Sequence, residues 1–393
     1  MKIAIITSGI LPVPAVQGGA VENLIDYALE YNDIHHIHDI TIYSVKNKKT
    51  SYHNALLSSV NHYVYIDTKS LIYKIGAKMY SYFGNYYYYH YQLEYFFERV
   101  WRKMKKHSYD LIIIENRPGY TIPLSKRTST PIILHIHTNI LFEPSDQNKK
   151  IISSVKGIFA VSNFIKNEIL KVGVKSDIRI VYNGLDPNLF NTSNIVPINR
   201  KELGFKELDF IAVFWGRLVA NKGIKELLQA FLLLKKHKDI KLLIIGAINF
   251  EDSENQSNSF VEELKKIATD LDDHVTFTGF IPYNNIANYL LAANVAVIPS
   301  HINEAFGMTC IEACAVGLPV IATNDGGIPE TLVDQKHILL DVSPQLPQLI
   351  ANAILEIKNN YSSYQGNSLK RIFHKDSYAK SFFQSLSNII NQS

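Results

Sequence analysis

The chain has 393 residues, 47% of them apolar and 19% charged, with 40 Lys+Arg against 36 Asp+Glu. That length predicts two domains, and the apolar fraction excludes a disordered chain. A net charge of only +4 excludes a nucleic-acid binder that depends on phosphate contacts.

The chain opens on an apolar run, Lys2–Thr7, followed by Pro12 and Pro14, which reads as a buried strand and loop rather than a signal peptide. Further strands are predicted at Asp39–Ser44, Tyr63–Ile66, Asp110–Ile114, Pro131–Ile136, Gly157–Val161 and Ile178–Val181. The second half adds Phe210–Trp215, Lys241–Gly246, Val275–Phe277, Val295–Pro299, Pro319–Ala322 and Ile338–Leu340. These runs are rich in Ile and Val with few alternating polar positions, and helix-period segments separate them. That is the pattern of α/β architecture with parallel sheets covered on both faces. Ser377–Ile390 reads as a helix, with Phe382, Phe383, Leu386, Ile389 and Ile390 at helical spacing. No apolar run approaches the ~18–20 residues of a spanning helix. The two cysteines, Cys310 and Cys314, sit one turn apart in a predicted helix and read as small buried side chains in a reducing cytoplasm.

Residues 183–209 lack a sustained period and hold Asn-Gly, Asp-Pro and further prolines. A boundary at about Asn191–Ile198 divides the chain into domains 1–190 and 191–372, followed by 373–393. The first 190 residues carry 22 basic against 15 acidic groups and the remainder 18 against 21, so an anionic surface is expected to face the first half. Open α/β sheets place ligands at the strand C-termini, which makes a cleft between the domains the default site.

Four constellations could carry chemistry. In the first, strand, turn and helix follow one another through Pro299-Ser300-His301-Ile302-Asn303-Glu304-Ala305-Phe306-Gly307-Met308-Thr309, and a second turn contains Gly326-Gly327-Ile328-Pro329-Glu330. A helix beginning at Phe306–Gly307 presents unpaired N–H groups as a seat for an anion. Glu304 and Glu312, if joined by continuous helix, would lie ~12 Å apart. That is too far for the ~5–5.5 Å carboxyl pair of a retaining glycoside hydrolase, and it suits two ends of an extended ligand. In the second, Gly216-Arg217-Leu218 through Lys222-Gly223 places a planar fork and a movable charge on a strand-to-helix turn, a pairing suited to a diphosphate. The third is the Gly18-Gly19 turn opening the first helix; it lacks the G-x-G-x-x-G spacing, which argues against a dinucleotide cofactor. In the fourth, His135 and His137 share one face of a strand end, with no third metal ligand evident from the sequence. His137 is the one expected to reach the cleft, with His135 in the core.

Taken in order, Gly18-Gly19, Ala160-Val161-Ser162, Val181-Tyr182-Asn183-Gly184, Gly216-Arg217-Leu218 with Lys222-Gly223, Thr278-Gly279-Phe280, Glu304-x7-Glu312 and Gly326-Gly327 resemble the retaining glycosyltransferases of family 4. The resemblance implies a GT-B fold: two Rossmann-like domains with parallel sheets facing across a cleft, and a C-terminal helix crossing back to the first domain. It implies transfer from a UDP- or GDP-sugar, without a metal or other cofactor, to an acceptor held by the first domain. By position, Arg217 and Lys222 would bind the diphosphate, Glu312 the ribose, and Glu304 with the amides of Phe306, Gly307, Met308 and Thr309 the sugar and phosphates. Gly18 and Gly19 would border the diphosphate, Ile281 would contact the base, and His137 would approach the donor sugar. Two further readings stay open: a nucleotide-sugar epimerase on a similar scaffold, and a catalytically silent partner subunit.

Tyr80–Tyr95 holds eight tyrosines, followed by Phe96, Phe97, Arg99, Trp101, Arg102, Lys103, Lys105 and Lys106. Three readings fit: a helix at an anionic membrane, a groove for a glycan or lipid-linked acceptor, or a core helix with a solvated basic end. The expected setting is the cytoplasm, at the inner face of the membrane.

Overall fold

The computed structural model describes residues 1–50, 60–83, 88–246 and 259–391. Of the tyrosine run, Tyr86 and Tyr87 lie outside them. The chain folds as two compact units, Met1–Gly184 with Lys375–Ser393, and Leu185–His374.

Among the described residues, the first unit has a parallel seven-stranded sheet in the order β3-β2-β1-β4-β5-β6-β7. Its strands are β1 (Lys2–Ile6), β2 (Asp39–Val45), β3 (Asn61–Ile66), β4 (Leu111–Glu115), β5 (Ile132–Ile136), β6 (Gly157–Ala160) and β7 (Ile178–Ile180). The central strands β4 and β5 are buried at every residue, which is why they read as unbroken apolar runs. One face is covered by the helix Ala20–His35 and the C-terminal helix Lys375–Asn391, whose Tyr378, Phe382, Phe383, Leu386 and Ile389 join Ile3, Ile5, Ile113 and Phe159 in one core.

The second unit repeats the plan with β8 (Phe210–Trp215), β9 (Ile240–Ile245), β10 (Val275–Phe277), β11 (Val295–Ile298), β12 (Val320–Thr323) and β13 (His337–Leu340). Their order is β10-β9-β8-β11-β12-β13, again parallel. In each sheet the winding direction reverses once, between β1 and β4 and between β8 and β11. The carboxyl ends at such a reversal leave a crevice that crossover connections do not fill.

The division falls at Gly184–Leu185 rather than at residue 190. Leu185 N–H donates to the carbonyl of Phe373 at 2.8 Å, and Leu185 bridges His374, so Leu185 is already tied to the second unit. The loop-like composition of Asn191–Ile198 marks irregular chain a few residues beyond that division. The return likewise falls after His374, not at residue 372.

Candidate functional site

The reversal of the second sheet gathers most of the residues singled out above. β8 ends at Trp215; Arg217 follows on an exposed turn and makes no ion pair among the described residues. A short 3-10 turn, Ala220–Lys222, then leads into the helix Ile224–Leu233. From the neighbouring β11, the chain runs through Ser300–Phe306 before the helix Met308–Ala315 begins. The two loops are stitched together: His301 N–H donates to the carbonyl of Asn221 at 3.0 Å, and Lys222 Nζ forms an ion pair with Glu304 Oε2. The positions read separately as a phosphate cation and a sugar carboxylate are thus one half-buried pair.

Glu304 is held by its backbone. Its N–H donates to Asp325 Oδ2 at 2.8 Å, and its carbonyl accepts from Gly327 N–H at 2.8 Å. The two glycines after Asp325 have a steric reason. A Cβ on Gly326 would stand 2.0 Å from the Glu304 carbonyl oxygen, and one on Gly327 would stand 2.6 Å from that of Ala305. Directly before Glu304, Ile302 and Asn303 adopt φ of 76° and 61°. A β-branched residue there is strained, and such strain collects where a loop is held for binding. Gly307, at φ 99°, caps the following helix and supplies no side-chain cap to its first turn. A helix start of this kind leaves backbone N–H groups directed out of its first turn.

Glu312 lies on the inner face of that helix, buried. It accepts hydrogen bonds from Trp215 Nε1 at 2.6 Å and Tyr283 Oη at 2.9 Å. Burial pushes its pKa up to about 7 against the pull of these two donors. The tyrosine ties the loop containing Ile281 to the helix. Neither Trp215 nor Tyr283 stands out in the sequence, because each belongs to no spacing pattern and acts only through Glu312. Cys310 and Cys314 are buried with thiol pKa values pushed up, to about 12 for Cys314, so neither is a nucleophile.

Gly18, Gly19 and His137 belong to the first unit, at the reversal of its own sheet. A Cβ on Gly19 would stand 2.3 Å from Glu22 Oε2, and Glu22 accepts from Ser8 Oγ at 3.2 Å. His137 follows β5, and its Nε2 lies 3.1 Å from Glu115 Oε2. Nδ1 of His135 reaches the same oxygen at 3.1 Å. The third group not evident beside the two histidines is therefore Glu115, brought opposite His135 by the register of β4 and β5.

Glu115, His135 and His137 each offer one ligand atom within 4.8 Å of the others, a donor set able to hold a cation. In this structure the distances are those of a carboxylate accepting two imidazole N–H groups. Burial would raise the Glu115 pKa, but the histidines, His135 foremost, overcome it and hold it at about 2. Burial, with His135 beside it, lowers the pKa of His137 to about 4. His135 is fully buried, its ring against Phe159 and Phe382. His137 is slightly exposed, and its Nδ1 has no hydrogen-bond partner among the described residues.

Residues 196–371 match the family described as Glycosyl transferases group 1, and residues 34–189 match Glycosyltransferase Family 4. Among curated proteins, the putative glycosyltransferase YtcC of Bacillus subtilis (strain 168) is 31% identical over 369 residues, covering 90% of this chain and 82% of that one. Sucrose-phosphate synthase from Thermosynechococcus elongatus superposes with a TM-score of 0.74 at 19% identity, over the whole of both chains. Anabaena HepE in complex with UDP-glucose superposes at 0.72 with 22% identity, covering 99% of this chain and 100% of that one.

Proposed function

Given that this chain belongs to the family 4 glycosyltransferases, a GT-B fold of two Rossmann-like halves, we propose that it moves a sugar from a UDP- or GDP-sugar to a glycan or lipid-linked acceptor, with retention and without a metal. The observation that carries this reading is the meeting of Lys222, Glu304 and the uncapped first turn at Met308 where the second sheet reverses. The UDP-glucose in the HepE complex supports a nucleotide-sugar donor. The relatives lend no support to the epimerase or silent-subunit alternatives. No helix among the described residues is long and apolar enough to cross a membrane, and we place the enzyme in the cytoplasm at the inner membrane face.

In the free protein Lys222 is held by Glu304. A diphosphate arriving at the helix amides competes for the ammonium and releases the carboxylate to accept sugar hydroxyls. Arg217, Lys222 and the amides of Gly307, Met308 and Thr309 then stabilise the charge that grows on the departing diphosphate, the strongest source of rate acceleration open to such a site. Phe306 leads into that seat. Glu312 accepts ribose hydroxyls, Ile281 contacts the base, and Gly18 and Gly19 border the diphosphate. His137 offers its unpartnered Nδ1 to the donor sugar. None of these side chains is placed as a covalent nucleophile, so we favour front-face attack, with a donor phosphate oxygen taking the acceptor proton. Finding a glycosylated side chain by mass spectrometry would overturn that step.

A thermal-shift screen of UDP- and GDP-sugars, followed by donor hydrolysis with and without EDTA, tests the assignment. One donor is expected to stabilise the protein and be hydrolysed equally in both buffers. Loss of turnover with EDTA would reject metal independence, and absence of any binding donor would reject the transferase reading.

The ribose role of Glu312 has a pH signature. Its pKa is raised, so the carboxylate is ionised above about 7 and protonated below it. Nucleoside diphosphate affinity is therefore expected to fall about tenfold between pH 8 and pH 6, as the ionised fraction does. Trp215→Phe removes a hydrogen bond to the charged form and should move the midpoint to higher pH. A flat profile in calorimetric titrations would separate Glu312 from the ribose.

A further inference from the structure

We propose that the helix Leu71–Phe83 seats the first unit on an anionic lipid surface. One side of this helix rides on the helix Tyr91–Met104. Tyr73 and Ala77 are buried, Tyr73 Oη donates to the Gln92 carbonyl at 2.8 Å, and the Tyr73 ring meets Tyr95 edge-on at 5.0 Å. A Cβ on Gly76 would stand 2.2 Å from Tyr95 Oη, so the two helices are in direct contact. The outward side is apolar: Leu71, Ile72, Ile75, Met79 and Tyr82 are 72%, 76%, 53%, 58% and 72% exposed. At 3.6 residues per turn these five fall within an arc of about 100°, with Lys78 and Lys74 along one edge of it. A monomeric soluble protein rarely leaves such a contiguous patch uncovered.

The charge around the patch selects its occupant. Lys69, Lys74 and Lys78 are exposed, and no acidic residue occurs from Thr68 to Leu93 in the sequence. The flanking acids are accounted for. Asp67 lies 3.8 Å from Lys46 and accepts from the backbone N–H groups of Lys69 and Ser70, and Glu94 is buried. An apolar arc edged by lysines is the pattern of a helix lying in the headgroup plane, where lysines meet anionic lipid and the arc enters the acyl boundary. At 13 residues the helix is about 20 Å long, too short to span ~30 Å of hydrocarbon. The tyrosine-rich and basic helix that follows is the structural support: Tyr95, Phe96, Phe97 and Val100 are buried, and Arg102 and Lys103 at its end are exposed.

This inference deepens the lipid-linked acceptor reading, but its test is independent of it. The full chain is sedimented with phosphatidylcholine vesicles and with vesicles also containing phosphatidylglycerol. Wild type is expected to pellet with the anionic vesicles and be released by salt. Ile75→Asp/Met79→Asp should weaken partitioning about tenfold or more, and Lys74→Glu/Lys78→Glu about tenfold. Hydrolysis of donor in solution should be unchanged in both variants, which also reports that they fold. Failure of wild type to pellet, or equal pelleting of the variants, would overturn the proposal. So would a wild-type dimer made monomeric by Ile75→Asp/Met79→Asp, since a second copy would then cover the face. Donor hydrolysis without vesicles tests the transferase reading whichever way the lipid experiment falls.

Discussion

Lys222→Ala is expected to lower kcat for donor hydrolysis by about 10²-fold or more, the cost of removing one preorganised stabiliser of a developing anion. The lysine sits on the turn after β8, and its ammonium is fixed by Glu304 from the loop after β11. Both groups are thus at the site before a donor arrives, and the diphosphate has only to draw the ammonium from Glu304. The effect should fall on kcat more than on KM, because the charge on the diphosphate grows as the glycosidic bond breaks. Lys222→Arg should recover part of the loss by restoring charge without the same reach. A fall of less than about threefold would remove Lys222 from the site, since no anion-stabilising group should be so dispensable.

Gly326→Ala is the second large effect. A methyl group there would stand 2.0 Å from the carbonyl oxygen of Glu304 and 2.8 Å from its nitrogen, at a φ of 58°. Backbone strain and overpacking together should cost about 2–6 kcal/mol. For a domain of this size that lowers the thermal midpoint by something of order 10 °C. Gly204→Ala separates the two causes, because Gly204 has φ 79° with nothing within 4 Å of its Cβ position; about 1 kcal/mol is expected for it. Retained donor hydrolysis in a folded Gly326→Ala protein would show that the Asp325–Gly327 turn does not position Glu304. A thermal midpoint no lower than that of Gly204→Ala would refute the steric argument.

Among the described residues, the thirteen strands are legible to within a residue or two at their ends, most clearly the central ones, because strands covered on both faces have no polar side to confuse the pattern. The helix start after Gly307 is legible because a glycine before a helix has a local, sequence-visible meaning. What stays hidden depends on register or on tertiary packing. Glu115 is the last residue of an unremarkable strand, and only the pairing of β4 with β5 sets it opposite His135. Trp215 and Tyr283 are 97 and 29 residues from Glu312 in the chain, and only the fold brings them to its carboxylate. The boundary read from composition lies a few residues beyond Gly184–Leu185, because Pro- and Asn-rich stretches report irregular backbone, whereas Leu185 is tied to the second unit by the hydrogen bond it makes to Phe373. The helices Leu71–Phe83 and Tyr91–Met104 carry the same lesson. Both are amphipathic in sequence, and the more aromatic one is the more buried.

The central claim is that the reversal of the second sheet grips a nucleoside diphosphate through Lys222, the amides at Gly307 and the carboxylate of Glu312. Calorimetric titration of UDP and GDP into wild type, Lys222→Ala and Glu312→Ala tests it most directly. Saturable binding of one nucleotide to wild type, weakened about tenfold or more by each substitution, is the result expected from losing one charge-assisted contact in a partly buried site. Binding of neither nucleotide, or equal affinity in all three proteins, would contradict it.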